Sequence, residues 1–124
     1  VIIEAHRLNR PALIYGSVLN DGLIANLPCD GVVEVAVHVD GNGLAPCKFG
    51  SLPPQLAALC ASNMYVFECA VRGILNQDKD AVYYAMTLDP LTAAVCSPAE
   101  IYRMTDEMAR KERGYIPKFV TKNL

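Results

Sequence analysis

The chain has 124 residues, is 52% hydrophobic and 19% charged, and carries a formal net charge of −2, so it can bury one real core without cross-links. That charge, with no basic stretch beyond Arg110-Lys111-Glu112-Arg113, gives no reason to expect a nucleic-acid partner. No run approaches the length of a bilayer span, and no basic segment leads into an apolar one as in a secretion signal.

The opening Val1-Ile2-Ile3-Glu4-Ala5 has no initiator Met and reads as the last turn of an amphipathic helix, so a piece of a longer protein is expected. Asn9-Arg10-Pro11 stops that helix, because Pro lacks a donor and pushes its predecessor out of the α region. Ala12–Leu19 is apolar and partly β-branched and predicts a strand. Asn20-Asp21-Gly22 is a turn, Leu23–Leu27 a short apolar segment ended by Pro28, and Cys29-Asp30-Gly31 a second turn. Val32–Val39 is the clearest strand, with Val33, Val35, Val37 and Val39 on one face and Val32, Glu34, Ala36 and His38 on the other. Asp40-Gly41-Asn42-Gly43 predicts a hairpin turn of the primed kind that matches strand twist. Leu44–Phe49 returns as an edge strand interrupted by Pro46.

Residues 54 to 76 predict a long helix that buries Leu56, Leu59, Cys60, Phe67, Ala70, Val71 and Ile74, with Asn63 in the same stripe and Gly73 as a weak point. Asp80–Leu88 predicts a second helix with Val82, Tyr83, Ala85 and Met86 inward, restarted at Asp89-Pro90 and continued by Leu91–Val95. Ser97-Pro98-Ala99-Glu100 is a capping box with Pro at the first helical position. The helix it opens buries Ile101, Met104, Thr105 and Met108 and ends near Gly114, with Arg110, Lys111 and Arg113 where the dipole favours cations. Tyr115-Ile116-Pro117 is a docking tail, followed by a few loose residues. The fold class is α+β, with a small antiparallel or mixed sheet and about three packed helices.

Little reactive chemistry is legible. Cys29, Cys47, Cys60, Cys69 and Cys96 are odd in number, form no CxxC and sit among apolar neighbours, which predicts reduced, mostly buried thiols in a cytoplasmic protein. Glu34 and His38 share a strand face but lie about 13 Å apart at the usual rise, too far for a direct acid–base pair. His6 stands alone, so no metal site is spelled out, and Gly41, Gly43 and Gly50 form no nucleotide-binding turn. Asn63 is a core amide or a ligand contact; Asn20 and Asn26 are turn residues by default.

The blocks Asn20-x-Gly22-x-Ile24-x-Asn26-Leu27-Pro28 and Val33-Glu34-Val35 resemble the C-terminal signature of family 4 glycoside hydrolases. Val39-Asp40-x-Asn42-Gly43, Pro46, Leu52–Leu59 and Leu88–Val95 extend the resemblance in order over nearly the whole chain, closest to the α-galactosidase (melibiase-like) branch. The family usually has Pro after Val-Glu-Val; this chain has Ala36, which lets the strand run longer.

The resemblance implies a domain similar to the C-terminal domain of lactate and malate dehydrogenases, residues 1–124 being a fragment of the substrate domain and the NAD-binding Rossmann domain lying outside. It implies a glycosidase dependent on NAD and a divalent metal, typically manganese, working by oxidation, elimination, addition and reduction rather than with two carboxylates. The family's Gly-rich loop, metal-binding Cys and His, and catalytic base fall upstream of Val1, so the chain alone is expected to be inactive and to bind neither NAD nor manganese. Asn20, Gly22 and Asn26 carry over as residues lining the cleft or the domain seam. The expected partners are a glycoside substrate, the Rossmann domain and further copies in a homo-oligomer, with no nucleic acid and no membrane. The alternatives are a binding or assembly module that borrowed the fold, and a C-terminal piece of a 2-hydroxy-acid dehydrogenase relative.

Overall fold

A computed structural model describes residues 1–121, in two compact units, Val1–Ala58 and a second beginning at Leu59. The first unit is built on a three-stranded antiparallel sheet in the order β1 (Ala12–Leu19), β2 (Val32–Asp40), β3 (Gly43–Pro46). Helix α1 (Ile2–Leu8) precedes β1 and packs on β2. Asn9 ends α1 in the left-handed region at φ 48°, just before the Pro that forbids continuation. The β1–β2 register runs from Ala12 opposite Val39 to Leu19 opposite Val32.

The period-2 pattern of β2 is borne out: Val33, Val35, Val37 and Val39 are buried, with Ala5 of α1 among them, while Glu34 and His38 are exposed. Each buried valine contributes about 1.5–3 kcal/mol. Ala36 lies within the unbroken β2, and its carbonyl accepts from the Cys47 N–H at 2.8 Å.

Two expectations for the hairpin are corrected. The β2–β3 turn is not of the primed kind: positive φ falls at Gly43 (120°), not at Gly41 or Asn42. The Asp40 carboxylate accepts from the Asn42 N–H at 2.7 Å and holds that alternative turn. Strand β3 ends at Pro46 rather than Phe49: after one more bond to β2, Cys47 N–H to Ala36 O at 2.8 Å, the chain leaves the sheet and the Phe49 N–H turns to Leu23 O at 2.8 Å.

Helix α2 (Pro54–Asn76) has the expected bounds. In the second unit it is followed by α3 (Lys79–Leu88), α4 (Pro90–Val95), α5 (Pro98–Lys111) and α6 (Lys118–Thr121). Asp78 caps α3 by accepting from the Asp80 and Ala81 N–H groups, and Asp89 caps α4 by accepting from the Thr92 N–H at 2.8 Å. The capping box of α5 is present: Glu100 Oε2 accepts from the Ser97 N–H at 2.8 Å and its hydroxyl at 2.6 Å. Helix α3 packs against α4, α5 and α6. Gly73 is a contact residue, since a Cβ there would meet Val82 Cγ2 at 2.8 Å where α3 crosses α2.

The buried faces shift from the expected ones. In α5 they are Ile101, Thr105 and Ala109, spaced i, i+4, i+8, while Met108 is exposed. In α3, Ala81, Tyr83 and Ala85 are buried and Val82 and Met86 are only partly covered. In the tail, Tyr115 is exposed and Val120 of α6 makes the contact with the helices instead. The final residues expected to be loose lie outside the described residues.

The largest correction concerns α2. Of its expected buried stripe, Leu56, Leu59, Cys60, Phe67, Val71 and Ile74 are exposed. Asn63 bonds to backbone, donating to the Leu59 carbonyl at 3.0 Å, but on that exposed stripe. By length and composition α2 would also be long enough to cross a bilayer, contrary to the reading from composition. Glu68, Arg72 and Asn63 within it argue against insertion. The thiols are corrected too: Cys29 and Cys60 are exposed, Cys47, Cys69 and Cys96 are partly covered, and all five are free.

Candidate functional site

The excursion between β1 and β2, residues 20–31, is a closed loop. Its mouth is fastened by Asn20 N–H to Gly31 O at 2.8 Å and Asp21 N–H to Cys29 O at 2.9 Å. Asp21 (φ 38°) and Gly22 (φ 79°) both take the left-handed region, which explains why a Gly follows an Asp there.

Asn20 is the hub. It is 0% exposed, and its Oδ1 accepts from the Ile24 N–H at 2.7 Å. Its Nδ2 donates to the carbonyls of Ile24 (3.0 Å), Leu27 (3.1 Å) and Pro28 (3.0 Å). One side chain thus satisfies four backbone groups of a loop too short for secondary structure of its own. Ile24 and Leu27 point inward and are buried, which anchors the loop to the first unit's core.

The outer edge is fastened to the segment after β3. Ile24 and Gly50 form a parallel bridge, with Ala25 N–H donating to Gly50 O at 2.7 Å and Phe49 N–H to Leu23 O at 2.8 Å. Asn26 extends this ladder with its side chain, donating from Nδ2 to Leu52 O at 2.8 Å and accepting at Oδ1 from Leu52 N–H at 2.9 Å. Asn20, Gly22 and Asn26 therefore belong to one structural unit; the Asn20 amide is spent on backbone groups, while the exposed Asn26 keeps one amide N–H. The surface left to a ligand is the exposed rim formed by Asp21, Ala25, Asn26, Cys29 and Asp30.

Glu34 and His38 lie on the outward face of the sheet, opposite Ser17 and Leu13 of β1, and form no pair. His6 serves structure, its Nδ1 lying 3.1 Å from the Asp40 carbonyl. Among the described residues no group of three or more His, Cys, Asp or Glu side chains could hold a metal ion.

A second polar cluster escaped the sequence. The Tyr83 hydroxyl donates to Asp106, Lys79 Nζ lies 3.7 Å from the same carboxylate, and the rings of Tyr83 and Tyr102 stack with centroids 4.4 Å apart. Burial, then the bond to Asp106, pushes the Tyr83 phenol above its ordinary value of 10.0. Because the folded value is raised, this contribution is complete below pH 10.0 and is lost as the pH climbs above it. Tyr83→Phe should flatten that alkaline loss in urea unfolding followed from neutral pH upward; an unchanged alkaline limb would refute the assignment. Tyr83 and Asp106 are 23 positions apart, and no local pattern links them.

Residues 1–92 match the model of the family 4 glycosyl hydrolase C-terminal domain. The chain is 40% identical over 118 residues to an alpha-galactosidase of Bacillus subtilis (strain 168), covering 95% of this chain and 27% of that protein. It is 33% identical over 118 residues to an alpha-galactosidase of Rhizobium meliloti (strain 1021), covering 95% of this chain and 24% of that protein. Among solved structures it is similar to a 6-phospho-alpha-glucosidase from gut microorganisms in complex with NAD and glucose-6-phosphate, with TM-score 0.80 and 22% identity over 94% of this chain and 26% of that one. A second such structure, in complex with NAD and Mn2+, has TM-score 0.79 and 22% identity over 91% of this chain and 25% of that one. The chain thus spans about a quarter of the length of these relatives. With most of its residues matched to the family model, the chain belongs to the family 4 glycosyl hydrolases and constitutes C-terminal-domain sequence of that family.

Proposed function

We propose that the chain is the C-terminal part of the substrate domain of a cytoplasmic glycosidase acting on α-galactosides or α-glucosides, and that the intact enzyme uses NAD and manganese. The observation that supports this most is the 40% identity to an alpha-galactosidase across 95% of the chain. The solved relatives were captured with NAD and Mn2+, which supports the cofactors for the whole enzyme. The five free thiols agree with a reducing compartment.

The described residues do not fit either cofactor. They offer no cluster of three metal-binding side chains, and no Gly-rich strand-to-helix turn for a dinucleotide. NAD and the metal would supply oxidation of the sugar and polarisation of its oxygens in a Rossmann half outside this chain. No step of the oxidation–elimination–addition–reduction sequence is therefore assigned to a residue here. The chain's part is to present a fixed wall to the sugar: the loop 20–31, held by Asn20 and Asn26, with its backbone and the Asp21 and Asp30 carboxylates on the rim. Asn20 and Asn26 are positioning residues in this reading.

Pure chain supplied with NAD and manganese should show no hydrolysis of a nitrophenyl galactoside above the uncatalysed rate. Measurable turnover would place the reactive groups inside it and overturn the division of labour.

A further inference from the structure

The turn between β2 and β3 holds the one Asn-Gly pair of the sequence, Asn42-Gly43. The main-chain nitrogen that follows an asparagine can attack that residue's own side-chain carbonyl carbon and close a five-membered imide. A side chain on the following residue shields the nitrogen, and hydrogen bonds to the amide hold the carbon away from it. Both hindrances are missing here. Gly43 has no Cβ, and no atom lies within 4 Å of where one would stand. The turn also requires glycine there, because φ is 120°, a conformation that strains other residues. Asn42 is exposed, and among the described residues its side-chain amide makes no hydrogen bond. The amides of Asn9, Asn20, Asn26 and Asn63 are all bonded. Two features oppose the attack: Gly43 pairs with Asp40 at the end of the ladder, and the Asp40 carboxylate accepts from the Asn42 N–H at 2.7 Å. The reaction therefore proceeds through local opening of the turn, and more slowly than in an unfolded chain.

We propose that Asn42 is a site of spontaneous covalent modification, converted to aspartate and isoaspartate, and that the isoaspartate form loosens the hairpin from α1. The Gly43 nitrogen gives its proton to hydroxide and bonds to Asn42 Cγ. The Cγ–Nδ2 bond then breaks, and ammonia leaves after taking a proton from water. A second water opens the imide at either carbonyl. One opening leaves an aspartate in the ordinary main chain; the other leaves isoaspartate, in which the main chain runs through the former side-chain methylene. The sum is amide plus water to carboxylic acid plus ammonia, with no oxidant or cofactor. Isoaspartate adds one main-chain carbon to a turn with no slack. The Gly41 N–H donates to Asn9 Oδ1 at 2.9 Å, and the Asp40 carbonyl lies 3.1 Å from His6 Nδ1. The approach is tight, since a Cβ on Gly41 would meet Asn9 Oδ1 at 2.8 Å. These contacts tie the end of α1 to the hairpin, and lengthening the turn pulls both out of line. The inference does not depend on the glycosidase reading.

The folded chain, kept in warm, mildly alkaline buffer and followed by intact mass, should gain the mass difference between an amide and a carboxylic acid. Peptide mapping should place the gain at position 42, in two products of equal mass that separate on a column. The rate should climb with pH, because the attacking nitrogen must lose its proton. Asn42→Gln keeps an amide but would need a six-membered ring, so its gain should be about 10-fold slower or less. The isoaspartate form, once separated, should unfold at lower urea than the Asn42→Asp variant, which has the same charge and an ordinary main chain. No mass gain would overturn the proposal. So would a gain spread equally over other asparagines, or parental modification of Asn42→Gln. An isoaspartate form as stable as Asn42→Asp would overturn the loosening of the hairpin.

Discussion

Asn20→Asp should lower the unfolding free energy by about 3 kcal/mol or more, because a near-isosteric change turns the hub of the loop against every group it holds. The donor nitrogen that bonds the carbonyls of Ile24, Leu27 and Pro28 becomes a charged acceptor facing those three oxygens at about hydrogen-bonding distance. Asn20→Ala removes the same bonds but adds no buried charge, so it should cost less than Asn20→Asp, though still about 2–3 kcal/mol. Urea unfolding of parent and variants reads this directly. An Asn20→Asp protein of parental stability would mean the side chain does not hold the loop. Asn26→Ala should cost under about 1 kcal/mol, since its site is exposed and water can replace the Leu52 partners.

Ile101→Ala should cost about 3–4 kcal/mol in the second unit. Ile101 is 1% exposed and is the largest fully buried side chain described, so its loss opens a cavity among helices that have already packed. Met108→Ala, one turn from the buried Thr105 but itself exposed, should cost below about 1 kcal/mol. Comparable losses at the two positions would show that the inward face of α5 has been placed wrongly.

Those two variants also mark where sequence could and could not lead. The period of β2 settles which valines face inward, and Ser97-Pro98-Ala99-Glu100 settles where α5 starts, because both signals are local. Periodicity in α2 shows an apolar stripe and predicts its burial, which the exposed Leu56, Phe67 and Ile74 contradict. It carries no information on whether the cover comes from the same chain, and here it does not among the described residues. Asn20 and Gly22 were legible as a turn, while the three carbonyls that Asn20 gathers lie up to eight positions away and follow only from the folded loop. The same holds for Asn26, whose partner Leu52 is 26 positions off. Apolar sequence neighbours do not decide cysteine burial: Cys60 and Cys69 sit on a helix, where neighbours do not share one face, and Cys29, Cys47 and Cys96 sit in turns or at an element's end.

The central claim is that this chain is the sugar-facing C-terminal part of an α-galactosidase-like enzyme whose reactive groups lie in the rest of it. The most direct measurement grafts the chain in place of the matched segment of the Bacillus subtilis alpha-galactosidase, to which it is 40% identical over 118 residues. Hydrolysis of a nitrophenyl α-galactoside is then assayed. The account predicts a folded hybrid that still hydrolyses the galactoside and that loses activity when Asn20→Asp is added. A folded hybrid without galactosidase activity would contradict it.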